Sequence, residues 1–438
     1  MSCDNKINEK TYFSGKILKK TNDKISLIKN ENIIKETSIS NEGDFYMKLD
    51  SIKDGLYNFK HLPEFQYILF QKGDSLVMRL NAVDFDESLV FTGKGSSKNN
   101  YLIDVFLNHE NEESFINSKL RKSPSIFKNT IDSLYNLKTL KFNNFKKNKK
   151  INKTIDLIIE NSIKLPLYSK IETYISVLKR NNKLDNISKD FYDFRNNIDL
   201  NIKELSNFKP YLDYIILRTN NESGSNFDSY SNLDLQFNLN RIKFIDRTIK
   251  NNLIKSKALR YVAFEYLLRE NILIDIDTFL NTFLKISNNT NINLEITQLY
   301  ENIISLQKGK YLPKIDLTNI NGKTNHATDF LSNKPVIFVF WSYELNSHKN
   351  NLFNKIFKFL KTNKSYNFHC ININSNKIKW KESMKVITAN KNVIHFIVND
   401  FNSMSKKMIL NNLNKIVVTD YQGKINLISN INELKKIN

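Results

Sequence analysis

The first hundred residues alternate apolar and polar side chains in short runs. Phe45, Met47 and Leu49 follow Gly43-Asp44, Tyr57 and Phe59 follow Gly55, and Leu76, Met78 and Leu80 follow Gly73-Asp74-Ser75. The run from Leu89 to Thr92 stops at Gly93. A period of two places every second side chain on one face of a strand, and Gly or Asp at each break supplies the turn. This pattern predicts a small antiparallel β-sandwich or barrel over residues 11–97.

From about 98 to 308 the period becomes helical. Ile276, Phe279, Leu280, Phe283 and Leu284 mark one stripe, and Ile296, Leu299, Tyr300, Ile303 and Ile304 another, joined by Ser287-Asn288-Asn289-Thr290-Asn291. A third helix carries Ala258, Val262 and Tyr266 beside Leu259, Ala263 and Leu267. Spacings of i, i+3, i+4 and i+7 are packing faces, so a helical domain is expected here. Its flexible break is expected between Asn220 and Ser231, where Ser, Asn and Gly224 gather.

The remainder, 309–438, alternates strand and helix patterns. Val336 to Trp341 is continuously apolar, as in a strand covered on both faces. A helix over Ser347–Leu360, a strand over Phe368–Ile373, a helix over Ile378–Thr388 and a strand over Val393–Val398 follow. Ile416–Thr419 and Lys424–Ile428 flank Asp420-Tyr421-Gln422-Gly423, a hairpin signature ahead of a terminal helix. Glycine spacing agrees with this division: dense before residue 96, almost absent through the middle, sparse afterwards. The whole reads as a multidomain α+β chain: antiparallel β-sandwich, central helical domain, C-terminal α/β domain.

Composition narrows the chemistry. With 40% hydrophobic residues in 438 the chain can fill real cores, and its longest apolar stretch, Pro335–Trp341, is too short to cross a bilayer. A net charge of +21 would ordinarily point to an anionic partner. Here the basic residues are spread along the whole chain, and the dense run Lys146-Lys147-Asn148-Lys149-Lys150 reads as a solvated helix end. Without aromatic interleaving or a nucleic-acid motif, no nucleic-acid partner is expected. Cys3 and Cys370 are too far apart in sequence for a zinc or redox pair, and the six histidines form no ligand pattern, so neither metal nor cofactor is expected.

The C-terminal landmarks resemble a thioredoxin-like domain of the TlpA/ResA type: Leu312-Pro313-x-Ile315-x-Leu317, Asn321-Gly322-Lys323, Lys334-Pro335-Val336, Phe340-Trp341 and Asp420-x-x-Gly423-Lys424-Ile425. The N-terminal segment is similar to the β domain that precedes such modules in Bacteroidota envelope proteins. That likeness is carried by Gly73-Asp74-Ser75-Leu76, Asp84-Phe85-Asp86-Glu87-Ser88-Leu89 and Asn99-Asn100-Tyr101-Leu102. The family reduces disulfides with a Cys-x-x-Cys pair at the start of the helix after the first strand. By that resemblance Leu345 stands at the nucleophile and His348 at the resolving cysteine, so dithiol chemistry is impossible there. The family's cis-proline falls on Asn414, expected to be trans. Trp341, Tyr343, Glu344, Asn346 and Asn414 are the candidate groove residues, with Ser347 or Asn346 capping the helix. Glu344 and His348 could share a helix face, but a metal or general-base role would need a further partner such as Asn346 or Tyr343. Cys370, mid-strand among apolar neighbours, reads as a buried small hydrophobe.

Met1-Ser2-Cys3 looks like the end of a bacterial lipoprotein signal, with Cys3 lipidated and residues 1–10 as a tether. The expected function is therefore that of a cell-envelope protein, periplasm-facing or an outer-membrane lipoprotein. It would use a thioredoxin-like domain without redox cysteines to bind or scaffold a protein or peptide, by strand-like pairing in the groove. The alternatives are a thiol-disulfide oxidoreductase acting on envelope proteins through Cys370, Cys3 or a partner's thiols, and a purely structural module of a surface complex.

Overall fold

The computed structural model describes residues 10–50, 52–149, 151–184, 187–224, 234–269, 275–387 and 389–437. Cys3 and part of the expected break at Asn220–Ser231 lie outside them. The chain divides into two compact units, Met1–Val262 with Thr282–Asn289 and Ala263–Asn281 with Thr290–Asn438.

Unit one opens with β1 (Thr11–Leu18), β2 (Lys24–Lys29), β3 (Asn32–Ser38), β4 (Asp44–Leu49), β5 (Gly55–His61), β6 (Glu64–Phe70) and β7 (Ser75–Asn81). A one-turn helix α1 (Phe85–Ser88) precedes β8 (Val90–Lys94). Two four-stranded sheets result, ordered β4-β1-β7-β8 and β3-β2-β5-β6. Their alternating residues meet in one core: Phe13 packs against Phe45 of its own sheet at 5.1 Å and against Phe59 and Phe70 of the other at 6.0 and 5.8 Å. The sandwich is antiparallel except that β1 runs parallel to β7. Gly15 permits that pairing, since a Cβ there would sit 2.2 Å from the Met78 carbonyl oxygen.

The helices that follow are α2 (Ser96–Lys119), α3 (Pro124–Asn148), α4 (Lys153–Arg180), α5 (Lys209–Ser223), α6 (Leu235–Thr248), α7 (Asn252–Leu267), α8 (Ile276–Ile286) and α9 (Thr290–Ser305). The stripes of α7 and of α8 from Ile276 to Phe283 are buried, as their period requires, while in α9 only Ile296 is fully so. The lysine run at 146–149 ends α3, and Lys146 pairs with Asp156 at 3.0 Å.

Helix α4 is buried nearly all round, and Asn152 caps it by accepting from the Ile155 N–H at 2.9 Å. Pro166 interrupts its interior. Lacking an N–H, it leaves the Ser162 carbonyl without the usual helical donor. His109 of α2 fills the gap, its Nε2–H donating to that carbonyl at 3.1 Å. A second polar cluster ties α4 to α5 and to the 3-10 segment Lys189–Asn197. Glu172, wholly buried, takes two 2.8 Å bonds from Arg195 and one of 2.6 Å from the Asn221 amide; Arg195 also reaches Glu222 at 2.6 Å.

Unit two holds a seven-stranded sheet. Its strands are β9 (Asp316–Asn319), β10 (Thr324–His326), β11 (Val336–Trp341), β12 (Asn367–Asn372), β13 (Val393–Val398), β14 (Lys415–Thr419) and β15 (Ile425–Asn430), in the order β10-β9-β13-β12-β11-β14-β15. β11, β12 and β13 are mutually parallel; β14 runs antiparallel to β11, and β15 antiparallel to β14. Between them lie α10 (Asn346–Leu360), α11 (Lys377–Met384) and α12 (Phe401–Lys407). Separate apolar cores cover the two faces, which is why β11 is apolar at every position. The terminal helix is a 3-10 segment, Ile431–Lys436. At the β14–β15 turn the Asp420 carboxylate accepts from the Gln422 and Lys424 N–H groups, both at 2.9 Å, and Gly423 adopts φ +85°. Two parallel crossovers step from β11 to β12 and on to β13, and the β14–β15 hairpin lies on the other side of β11, which makes this unit a thioredoxin-like fold.

Candidate functional site

β11 delivers the chain to a sharp turn before α10. Ser342 organises it: its hydroxyl accepts from the Glu344 N–H at 3.1 Å and donates to the Asn374 side-chain oxygen at 2.8 Å. The same oxygen accepts from the Tyr343 N–H at 3.2 Å, and Asn372 holds the Asn374 N–H at 3.0 Å. Ser342, Asn372 and Asn374 were not among the expected site residues. Their signal was a Ser directly after Trp341 and the Asn-x-Asn spacing at the end of β12.

Leu345 occupies the helix N-cap position, and its carbonyl accepts from the Lys349 N–H at 2.9 Å. Capping by Ser347 or Asn346 does not occur. The Ser342 turn starts the helix earlier and places both residues in its first turn, and the N-cap residue, Leu345, makes no side-chain cap bond. Leu345 is 51% exposed, and Glu344 and Asn346 are exposed beside it.

His348 lies one turn along, half-buried and near Asn414. Burial holds its pKa below the ordinary histidine value. The Asn414 side chain and the Leu413 backbone favour its protonated form, though neither closes a well-formed hydrogen bond on a ring nitrogen. The single cis peptide among the described residues is Leu62–Pro63, so the bond before Asn414 is trans. Its N–H donates to the Asn412 side chain at 2.9 Å and its carbonyl accepts from Ile431 at 2.7 Å. Strand-like pairing of a ligand with Asn414 therefore meets backbone groups that already have partners.

Trp341 does not line a groove. It is completely buried, packed edge-on against Phe353 at 5.5 Å and near His395 at 6.4 Å, because β11 is covered on both faces. Tyr343 is half-buried at the margin of the same core. Cys370, on β12, is fully buried, and burial pushes its thiol far above the reactive range.

No family model and no curated protein matches the sequence. Similar solved structures include the thioredoxin domain of a thiol-disulfide oxidoreductase from Bacteroides vulgatus. It is 19% identical, with 30% of this chain and 98% of that one covered and a TM-score of 0.26. Another is a thiol:disulfide interchange protein from a Bacteroides species, 16% identical, covering 30% of this chain and 89% of that one, with a TM-score of 0.26. The fold class rests on the strand order itself: a thioredoxin-like domain whose helix start carries no cysteine pair.

Proposed function

We propose that the chain is a non-catalytic binding or scaffolding protein of the cell envelope, and that its thioredoxin-like domain holds a protein or peptide partner at the start of α10. The observation that carries this reading is the first turn of that helix. The Ser342–Asn374 hydrogen bonds keep the turn fixed, yet the two positions where a dithiol would sit are an exposed Leu345 and a His348 beside Asn414. A leucine has no ionisable or oxidisable atom, and Cys370 is sealed mid-strand, so thiol exchange has no nucleophile in this domain. Because Asn414 has its backbone groups satisfied, recognition runs through side chains, with Leu345 as the apolar contact and the exposed Glu344 and Asn346 beside it as the polar ones.

The test is insulin reduction with dithiothreitol as donor. The native chain is expected to stay at the dithiothreitol background. Leu345→Cys/His348→Cys places thiols at the N-cap and third positions of α10, where free N–H groups favour the thiolate. It is expected to exceed that background. Insulin reduction by the native chain that disappears in Cys370→Ser would overturn the reading.

A further inference from the structure

A cleft of about 320 Å³ opens in unit one, walled by β6, α2, Pro166 of α4 and the start of α5. One side is aromatic: the Tyr67 ring lies 5.9 Å from Phe106 and 5.3 Å from Phe208, with Phe65 beside it at 6.3 Å. The volume suits one small ligand.

Carboxylates outnumber cations in the lining. Asp86, Glu110 and Asp213 bring three carboxylates against the single ammonium of Lys209, which is bound to Asp213 at 2.6 Å. Gln66 is committed, donating to Asp86 at 2.8 Å and accepting from the Tyr67 N–H at 2.7 Å. His109 gives its Nε2–H to Ser162. Burial and the nearby Lys138 lower its pKa to about 4, so the ring is neutral and Nδ1 is a lone pair. The Glu110 carboxylate, next in sequence, has no partner among the described residues. Against these acceptors stand the remaining N–H groups of the Lys209 ammonium and the Tyr67 hydroxyl hydrogen, so the lining as a whole is net anionic.

A helix N-terminus beside a cleft ordinarily attracts an anion. Here the first turn of α5 has no backbone donor to offer. The Lys209 N–H is held by the Tyr67 hydroxyl at 2.9 Å, Pro210 has none, and the Tyr211 and Leu212 N–H groups both turn back to the Phe208 carbonyl, at 3.0 and 3.3 Å.

We propose that this cleft binds a small organic ammonium, its aromatic or alkyl body against Phe65, Tyr67 and Phe106 and its N–H groups on Glu110 and His109 Nδ1. The aromatic wall adds cation–π attraction, and the carboxylates reject the anionic counterpart of the same body. This site lies in a different unit from the start of α10, so its test is independent of the function proposed there.

Isothermal titration of the full chain near pH 7.5 decides it, with tryptamine as the probe, indole-3-propionate as its anionic counterpart and N-acetyl-tryptophanyl-lysine amide as a peptide-borne source of the same charge. Tryptamine is expected to bind saturably below about 1 mM, and indole-3-propionate at least roughly tenfold more weakly. Glu110→Gln, an exposed change that leaves the thermal unfolding curve in place, is expected to weaken tryptamine by about fivefold or more. Failure of tryptamine to saturate, equal affinity for the anion, or an unchanged Kd in Glu110→Gln overturns the proposal. A peptide bound about tenfold tighter than tryptamine overturns the assignment to a small molecule.

Discussion

Replacing Glu172 by alanine lowers the stability of unit one by about 3–5 kcal/mol, the largest loss expected from any single substitution considered. The carboxylate is completely buried and receives three charge-assisted or amide hydrogen bonds, two of them from Arg195. Truncation leaves a largely buried guanidinium facing a cavity, with Glu222 as its remaining carboxylate. Removing one partner of such a pair costs far more than removing both, because the survivor keeps its desolvation penalty. Glu172→Met/Arg195→Met is accordingly expected to recover much of what Glu172→Ala loses. In far-UV circular dichroism the alanine variant should melt roughly 10 °C lower. Tryptophan fluorescence, followed in parallel, reports unit two alone, because Trp341 and Trp380 are the chain's two tryptophans. A shift of the dichroism midpoint under about 2 °C would show that the Glu172–Arg195 pair contributes no more than a surface ion pair does.

Unit two is expected to lose stability as the pH falls below about 6.5, chiefly through His369. Its ring is fully buried between Phe338 at 5.2 Å and Phe396 at 5.0 Å, with neither nitrogen hydrogen-bonded. Burial lowers its pKa to about 3. The unfolded chain takes up a proton near pH 6.5 while the fold refuses one, so the unfolded state binds more protons between these values and gains on acidification. The full stability is present above pH 6.5 and declines by about 1.4 kcal/mol per pH unit down to about pH 3. His395, lowered to about 4 by burial but less completely enclosed, adds a smaller decline. Urea titrations read by tryptophan fluorescence at pH 7.5 and 4.5 measure the effect. His369→Phe, which keeps an aromatic ring between Phe338 and Phe396, should retain about 2–3 kcal/mol of what the native chain loses over that interval. Parallel losses in the two proteins would rule out His369 as the cause.

Strands whose environment is simple were legible without coordinates. β4 and β7 alternate because one face meets the sandwich core, and β11 is unbroken because both faces are covered. The hairpin at Asp420 and Gly423 followed from turn chemistry that acts within five residues. What escaped depends on neighbours distant in sequence. Nothing local in Thr11–Leu18 says that it pairs with β4 on one side and, in parallel, with β7 on the other; Gly15 is the trace of that close approach. That Leu345 and His348 fall at the start of α10 was readable from landmarks, but the burial of Trp341 and the Ser342–Asn374 bonds depend on how β11 and β12 lie together. The ammonium cleft was invisible for the same reason. Its one sequence sign is Pro166 within an apolar helix, and the histidine that answers it lies 53 residues from the carbonyl it satisfies.

Leucine and histidine at the head of α10 have a consequence for supply. A domain that exchanges disulfides stops after one turnover unless an electron donor resets it, so its output follows the redox poise of its compartment and the abundance of its reductase. A domain with no dithiol at that position has no oxidised form to reset. With the binding function proposed above, it would perform alike in a reducing or an oxidising medium and need no upstream donor, and its occupancy would follow only its own concentration and that of its partner.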